Sequence, residues 1–223
     1  MPTLPGRLRH PSKEKLSRHC HDSGFVAVVL SGSYVEAGDR GRMHVCAGDV
    51  VFHGAYESHL NDVAHTGADV LVLPWHGPIV SALGRVADPD ALVRAAEASV
   101  EHASGLIADQ LTWSTVMPID WPDRLAEELR ANPDLNLEAW AEQQGLRPET
   151  ISRGFRRAYG VTAVAYRARL RVLRALDAMP SDATLTHIAA DCGFADQAHL
   201  TRSFAALTGV SPSVWRRGCT QPR

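Results

Sequence analysis

Arg18-His19-Cys20-His21-Asp22 places two imidazoles two residues apart near the start of this 223-residue chain. Alternate side chains of a strand share a face, so His19 and His21 would point the same way, as half of a metal site does. A second population able to do chemistry is guanidinium. Between 147 and 174 arginine stands at 147, 153, 156, 157, 167, 169, 171 and 174, against the single acid Glu149. Arginine without lysine suits planar, bidentate contact with phosphate or base edges. The cysteines Cys20, Cys46, Cys192 and Cys219 have no CxxC pairing, which argues against a zinc ribbon and supplies no disulfide framework. No Ser-His-Asp pattern or phosphate-binding glycine loop is visible.

The elements that must position these groups change character along the chain. Residues 1–120 carry 9 Lys+Arg against 14 Asp+Glu, and 121–223 carry 14 against 11, so a net charge of −2 hides an acidic half and a basic half. In 24–74, β-branched runs at 25–30, 34–36, 49–53 and 69–73 alternate with turn residues such as Ser31-Gly32-Ser33, the spacing of antiparallel strands in a sandwich or barrel. From Asp88 the apolar period is helical: Leu92, Ala95, Ala96 and Val100 share one face, as do Leu125 and Leu129 after Trp121-Pro122-Asp123. Strands followed by helices predict an α+β chain of two domains. No run has the roughly 18 apolar residues of a membrane span, and the start lacks the apolar core of a secretory signal, so a cytoplasmic location is expected.

The helical half repeats itself. Laying 137–167 over 186–216 puts Ala141 on Ala189 and Gly145 on Gly193, 48 apart, then Arg153, Phe155, Gly160, Val161 and Arg167 on Arg202, Phe204, Gly209, Val210 and Arg216, 49 apart. Each unit reads as a short helix, a Gly-apolar turn and a longer helix, which is helix-turn-helix grammar. Ala163 to Met179 reads as the helix between them. Trp140, Leu146, Phe155, Ile188, Phe194, Leu200 and Phe204 are core by periodicity, and His187 is expected on an exposed helix face.

The stretch from Ile188 to Phe204, with Gly209-Val210-Ser211-Pro212 after it, resembles the signature of the AraC-type transcription regulators, and the resemblance runs from about Trp121 to Arg217. It implies two helix-turn-helix units that enter successive major-groove segments on one face of double-stranded DNA, about 34 Å apart. Carried over residue by residue, it implies that a first reading helix from Pro148 presents Glu149, Thr150, Ser152 and Arg153, and a second presents Gln197, His199 and Arg202. Arginine can pair with guanine and glutamine with adenine. Arg156, Arg157 and Arg171 are expected at phosphate, where they add affinity more than sequence information. Glu149 departs from the family, because a carboxylate repels phosphate and accepts only from a base such as cytosine.

The strand-rich half resembles the small cupin barrel that many such regulators use for sensing. His19, His21 and Gly32 fit its first motif, with Phe25 where a glutamate is usual, and Gly48 and His59 fit its second. The resemblance makes His19, His21 and His59 candidate ligands of a divalent transition metal, Zn or Ni, with Glu36, His53 or Glu57 as a fourth. Three alternatives stay open: a metal-free pocket for a small effector, ordinary barrel-mouth histidines, and a reactive thiol at Cys20. The expected organisation is a cupin-like sensing domain over 1–80, a helical linker over 81–120 that serves a homodimer, and a DNA-binding domain over 121–223. The function expected is regulation of transcription, not catalysis, with a metal-binding cupin enzyme or metal sensor as the alternative.

Overall fold

The computed structural model describes residues 5–219, which divide into two compact units, one running to Asp123 with 158–160 added, the other holding 124–157 and the rest of the chain from Val161. The first unit is built on an eight-stranded antiparallel sheet. Its strands are β1 (Gly6–His10), β2 (Lys15–Cys20), β3 (Phe25–Gly38), β4 (Gly41–Cys46), β5 (Asp49–His53), β6 (Ser58–Pro74), β7 (Leu83–Val86) and β8 (Leu111–Ser114). They lie in the order β1-β6-β3-β5-β7-β8, with β2 also on β6 and β4 also on β3. Among the described residues no ladder joins β8 back to β1, so the structure carries the antiparallel sheet of the expected barrel without its closure.

The run Phe25 to Val29 is apolar at every position because β3 is buried on both sides. Phe25, Ala27 and Val29 join Tyr34, Met43, Val45, Val70 and Val72 in one core. Val26 and Val28 face the other way, joining Val50, Phe52, Leu71 and Leu73. That second face is covered by α1 (Pro89–Ala98) and α2 (Val100–Gln110), which contribute Leu92, Ala95, Ala103 and Ile107. Asp88 caps α1 by accepting from the Ala91 N–H, and Ser99 caps α2 by accepting from the His102 N–H.

Two expectations change here. Ser31-Gly32-Ser33 is not a turn between strands but the bulged middle of β3, where the register against β6 shifts on either side. Gly32 has φ 73°, and a Cβ there would collide with the Gly67 carbonyl, so the turn-like composition marks a bulge. The segment 81–120 is helical over 89–110, as expected, but it is not a linker: β7 pairs with β5 and β8 with β7, which makes the segment part of the sheet unit. Its helices cover apolar residues that an 80-residue domain would leave bare.

The helical unit contains α3 (Trp121–Ala131), α4 (Leu137–Gln143), α5 (Pro148–Tyr159), α6 (Ala163–Ala178), α7 (Leu185–Asp191), α8 (Gln197–Thr208) and α9 (Pro212–Cys219), with the first residues of α3 counted in the sheet unit. Helices α4–α5 and α7–α8 are the two repeat units. Asn136 caps α4 and Thr184 caps α7. Each short helix then ends at a glycine in the left-handed region, Gly145 at φ 65° and Gly193 at φ 74°. The Leu146 N–H donates to the Ala141 carbonyl at 2.9 Å and the Phe194 N–H to the Ala189 carbonyl at 2.8 Å, the six-to-one bond of a glycine-terminated helix made twice. The cores match as well: Phe155 meets Tyr166 at 5.3 Å between ring centroids, and Phe204 meets Trp215 at 5.7 Å. Of the predicted core residues, Leu146 alone is only half-buried.

Candidate nucleic-acid interface and candidate metal centre

Helix α5 starts at Pro148, whose missing N–H costs nothing in the first turn. Ile151 and Phe155 turn inward, which leaves Glu149, Ser152, Arg153, Arg156 and Arg157 exposed and Thr150 half-buried. On α8 the buried pair is Leu200 and Phe204, and Gln197 and Arg202 are exposed. Asp196 caps α8 through the His199 N–H, and the His199 ring stands edge-on to Phe194 at 5.2 Å, half-buried. Gln197 is oriented from the neighbouring helix, its Oε1 accepting from the Thr186 hydroxyl at 2.8 Å. That contact was not foreseen from the sequence. His187 is exposed and lies 3.7 Å from Asp191.

Arg171, expected at phosphate, is used inside the fold. Its guanidinium pairs with Asp134 and donates to the Pro133 carbonyl at 3.4 Å. It belongs to a ladder on α6: Arg167 donates to the Leu135 carbonyl at 3.3 Å, and Arg174 to the Arg130 and Ala131 carbonyls at 2.6 and 3.1 Å. The repeat partner of Arg167, Arg216, donates to Ala183 at 2.9 Å and Met179 at 3.2 Å. Leu135 and Ala183 each lie two residues before the first helix of their unit, so the repeated arginine braces the entry to each helix-turn-helix. A charge count cannot separate such a guanidinium from one aimed at a phosphate; the 49-residue identity of Arg167 and Arg216 was the available signal.

The histidines do meet. His19 on β2 lies directly opposite His59 on β6, and His21 follows the end of β2. One nitrogen from each of His19, His21 and His59 falls in a group whose members all lie within 4.8 Å of one another. His19 Nδ1 is 2.8 Å from the Ser17 carbonyl oxygen, which can only accept; the ring therefore donates through Nδ1–H and keeps its lone pair on Nε2. His59 is 6% exposed, and its Nδ1 is buried with no hydrogen-bond partner. Burial pushes the His59 imidazolium far below the usual histidine range, so the ring is the neutral base that coordination requires.

Of the candidate fourth ligands, Glu57 is committed elsewhere, accepting from Arg40 Nε at 2.6 Å and the Gly54 N–H at 2.7 Å. Glu36 and His53 both line the histidine cavity, 3.5 Å apart, and Asn61 Nδ2 donates to Glu36 at 3.2 Å. Burial raises the Glu36 carboxyl to about 8, with the Asn61 hydrogen bond opposing it, and lowers His53 to about 3, with the neighbouring His21 adding to the effect. Both shifts favour the neutral form. Phe25 closes this side, its ring stacked on His53 at 4.3 Å and edge-on to His21 at 4.8 Å. Cys20 is half-buried and outside the cavity lining, Cys46 is exposed and Cys192 is buried in the second unit's core. The side chain of Cys219 lies outside the described residues.

Residues 140–218 match the helix-turn-helix domain family. The chain is 32% identical over 172 residues to the HTH-type transcriptional activator RhaS of Escherichia fergusonii, a match covering 74% of this chain and 60% of that protein. It is 34% identical over 96 residues to the HTH-type transcriptional regulator RipA of Corynebacterium glutamicum, covering 42% of this chain and 29% of that protein. These matches span less than two thirds of either relative. The solved C-terminal domain of AraT, a response regulator from Geobacillus stearothermophilus, is 25% identical, covering 47% of this chain and 88% of that one with a TM-score of 0.42. The duplicated helical half of this chain is an AraC-type helix-turn-helix domain.

Proposed function

We propose that the chain is a transcription regulator that binds double-stranded DNA sequence-specifically, with the sheet unit as its sensor. The observation that carries this is the paired reader: two equivalent helices, α5 and α8, each with one face sunk in a core and the opposite face polar and exposed. Base reading is assigned to Arg153 with Glu149, Thr150 and Ser152 on α5, and to Gln197, His199 and Arg202 on α8. Phosphate contact is assigned to Arg156 and Arg157. Selection of binding sites from random duplexes at physiological salt tests it: one enriched sequence with two half-motifs about one helical turn apart is expected. Affinity that follows salt but not sequence would overturn it. No described helix is long and apolar enough to cross a membrane, in keeping with a cytoplasmic regulator. Repeated half-sites would suit a homodimer, which equilibrium sedimentation with and without DNA tests.

The sensor reading is a cupin-like pocket in which His19, His21 and His59 hold a divalent transition metal. The donors fit such an ion: three imidazoles converge, and a buried nitrogen of His59 lacks any other partner. With no carboxylate in the trio, Zn or Ni is favoured over harder ions. The bound ion would supply Lewis acidity for capture of a ligand; the protein's part is to hold the imidazoles and exclude water with Phe25. Metal analysis after gentle purification is expected to find about one ion per chain, lost in His19→Ala/His21→Ala. Absence of metal, with no uptake on titration, would leave a metal-free effector pocket.

A further inference from the structure

The histidine cavity, about 120 Å³ in volume, is lined by two chemically different kinds of side chain. His19, His21, His53, His59, Glu36 and Asn61 are polar; Leu8, Leu16, Val63, Val70 and Val72 are aliphatic, with Leu16 directly across the ladder from Asn61. We propose that this cavity takes a small aliphatic monocarboxylate, its oxygens at the divalent ion held by His19, His21 and His59 and its tail against the aliphatic side chains. The proposal rests on the metal reading of the three histidines given above.

The argument is one of charge. Imidazole ligands bring no negative charge, so a divalent ion would keep both its charges in a site where His59 is 6% exposed and aliphatic side chains share the lining. An uncompensated charge held away from water is strongly unfavourable. The surrounding acids do not supply the balance. Glu36 is held by Asn61 and stands outside the histidine trio, Glu57 is paired with Arg40, and Asp39 with Arg18. The side chains packed against the trio bring no negative charge either: the His53 ring lies 4.3 Å from His59, and the Phe25 ring 4.8 Å from His21 and 6.0 Å from His59. The missing negative charge must come from solution, and a carboxylate supplies it through oxygen. The leucines and valines of the lining then select for a hydrocarbon tail, each buried methylene strengthening binding about fourfold. A purely inorganic anion would leave those side chains unused.

The test uses the full chain loaded with Co²⁺ and follows the visible ligand-field absorption while acetate, butyrate or butyramide is added. Butyrate should change the spectrum at a concentration roughly fifteenfold lower than acetate, from the two extra methylenes, and butyramide should leave it unchanged. Bound Co²⁺ whose spectrum ignores butyrate would overturn the anion proposal and leave the metal reading standing. Failure to bind Co²⁺ at all would overturn both. Equal responses to acetate and butyrate would overturn the aliphatic part of the proposal. Phe25→Glu, which places a carboxylate beside the trio, should bind Co²⁺ more tightly and lose its response to butyrate; if that variant does not fold, the three-probe series on the unaltered chain decides.

Discussion

The two helix-turn-helix units share a backbone plan and differ in what they show to solvent. Both have a left-handed glycine after the short helix, a fully buried phenylalanine on the long one and an arginine donating to the carbonyls before the first helix. Yet α5 carries Arg153, Arg156 and Arg157, while α8 carries the single arginine Arg202 among glutamine, histidine and threonine. The two units share the parts that hold a unit together and, Arg153 and Arg202 apart, differ in much of what faces outward. On the proposed reading the first unit would supply more of the salt-dependent grip, and the second more of the base discrimination per contact.

The largest effect tests whether the shared parts are equivalent. Phe155→Ala and Phe204→Ala each remove a fully buried ring and should each cost about 3–5 kcal/mol in urea unfolding. A difference between them of more than about 2 kcal/mol would mean that one unit collapses around the loss and the symmetry is only geometric. The glycines should behave unequally. Gly145→Ala meets open space and bears only the left-handed backbone cost of about 1–2 kcal/mol. Gly193→Ala brings its Cβ within 2.9 Å of Arg171 Nε and 3.0 Å of Asp134 Oδ1, so it should cost more and lower the unfolding midpoint further. Equal midpoints would show that the Arg171–Asp134 pair yields freely.

Smaller effects divide the arginines by job. Arg167→Ala and Arg216→Ala should each destabilise by about 1–3 kcal/mol, by leaving carbonyls without their charged donor. The base preference of the surviving folded protein should be unchanged. Arg202→Ala should instead leave unfolding nearly unchanged and cost about 1–3 kcal/mol of discrimination at one base pair. Arg157→Ala should weaken all sequences alike and lower the salt slope by about one unit. If Arg157→Ala altered base preference while Arg202→Ala did not, the division between grip and reading would be reversed.

What could be read in advance follows the same line between local and non-local information. The helical repeat was readable because its signals are local: glycines where the backbone must turn left-handed, apolar residues every three or four positions, and a fixed 48- to 49-residue offset. The sheet was read only in outline. Strand β4, Gly-Arg-Met-His-Val-Cys, is short and half polar, and β7 and β8 have four residues each, too few for a period to stand out. Ser31-Gly32-Ser33 has turn composition, and only its opposition to Gly67 and Ala68 makes it a bulge. The histidine pair of β2 was visible from its spacing, and the family resemblance supplied His59. The proximity of His53 to Glu36 depends on two separate ladders meeting at β3, and nothing near either residue encodes that.

Burial of β3 on both faces has a practical consequence for anyone cutting this chain. A fragment ending near residue 80 would keep Val26, Val28, Val50, Phe52, Leu71 and Leu73 but lose Leu92, Ala95, Ala103 and Ile107, the residues that cover them. It would also leave β5 without β7, an unpaired edge beside a bare apolar surface. Such a fragment is expected to aggregate on expression, because exposed apolar sheet next to a free strand edge templates association between chains. A fragment carried past Ser114 retains both helices and both edge strands and should stay dispersed.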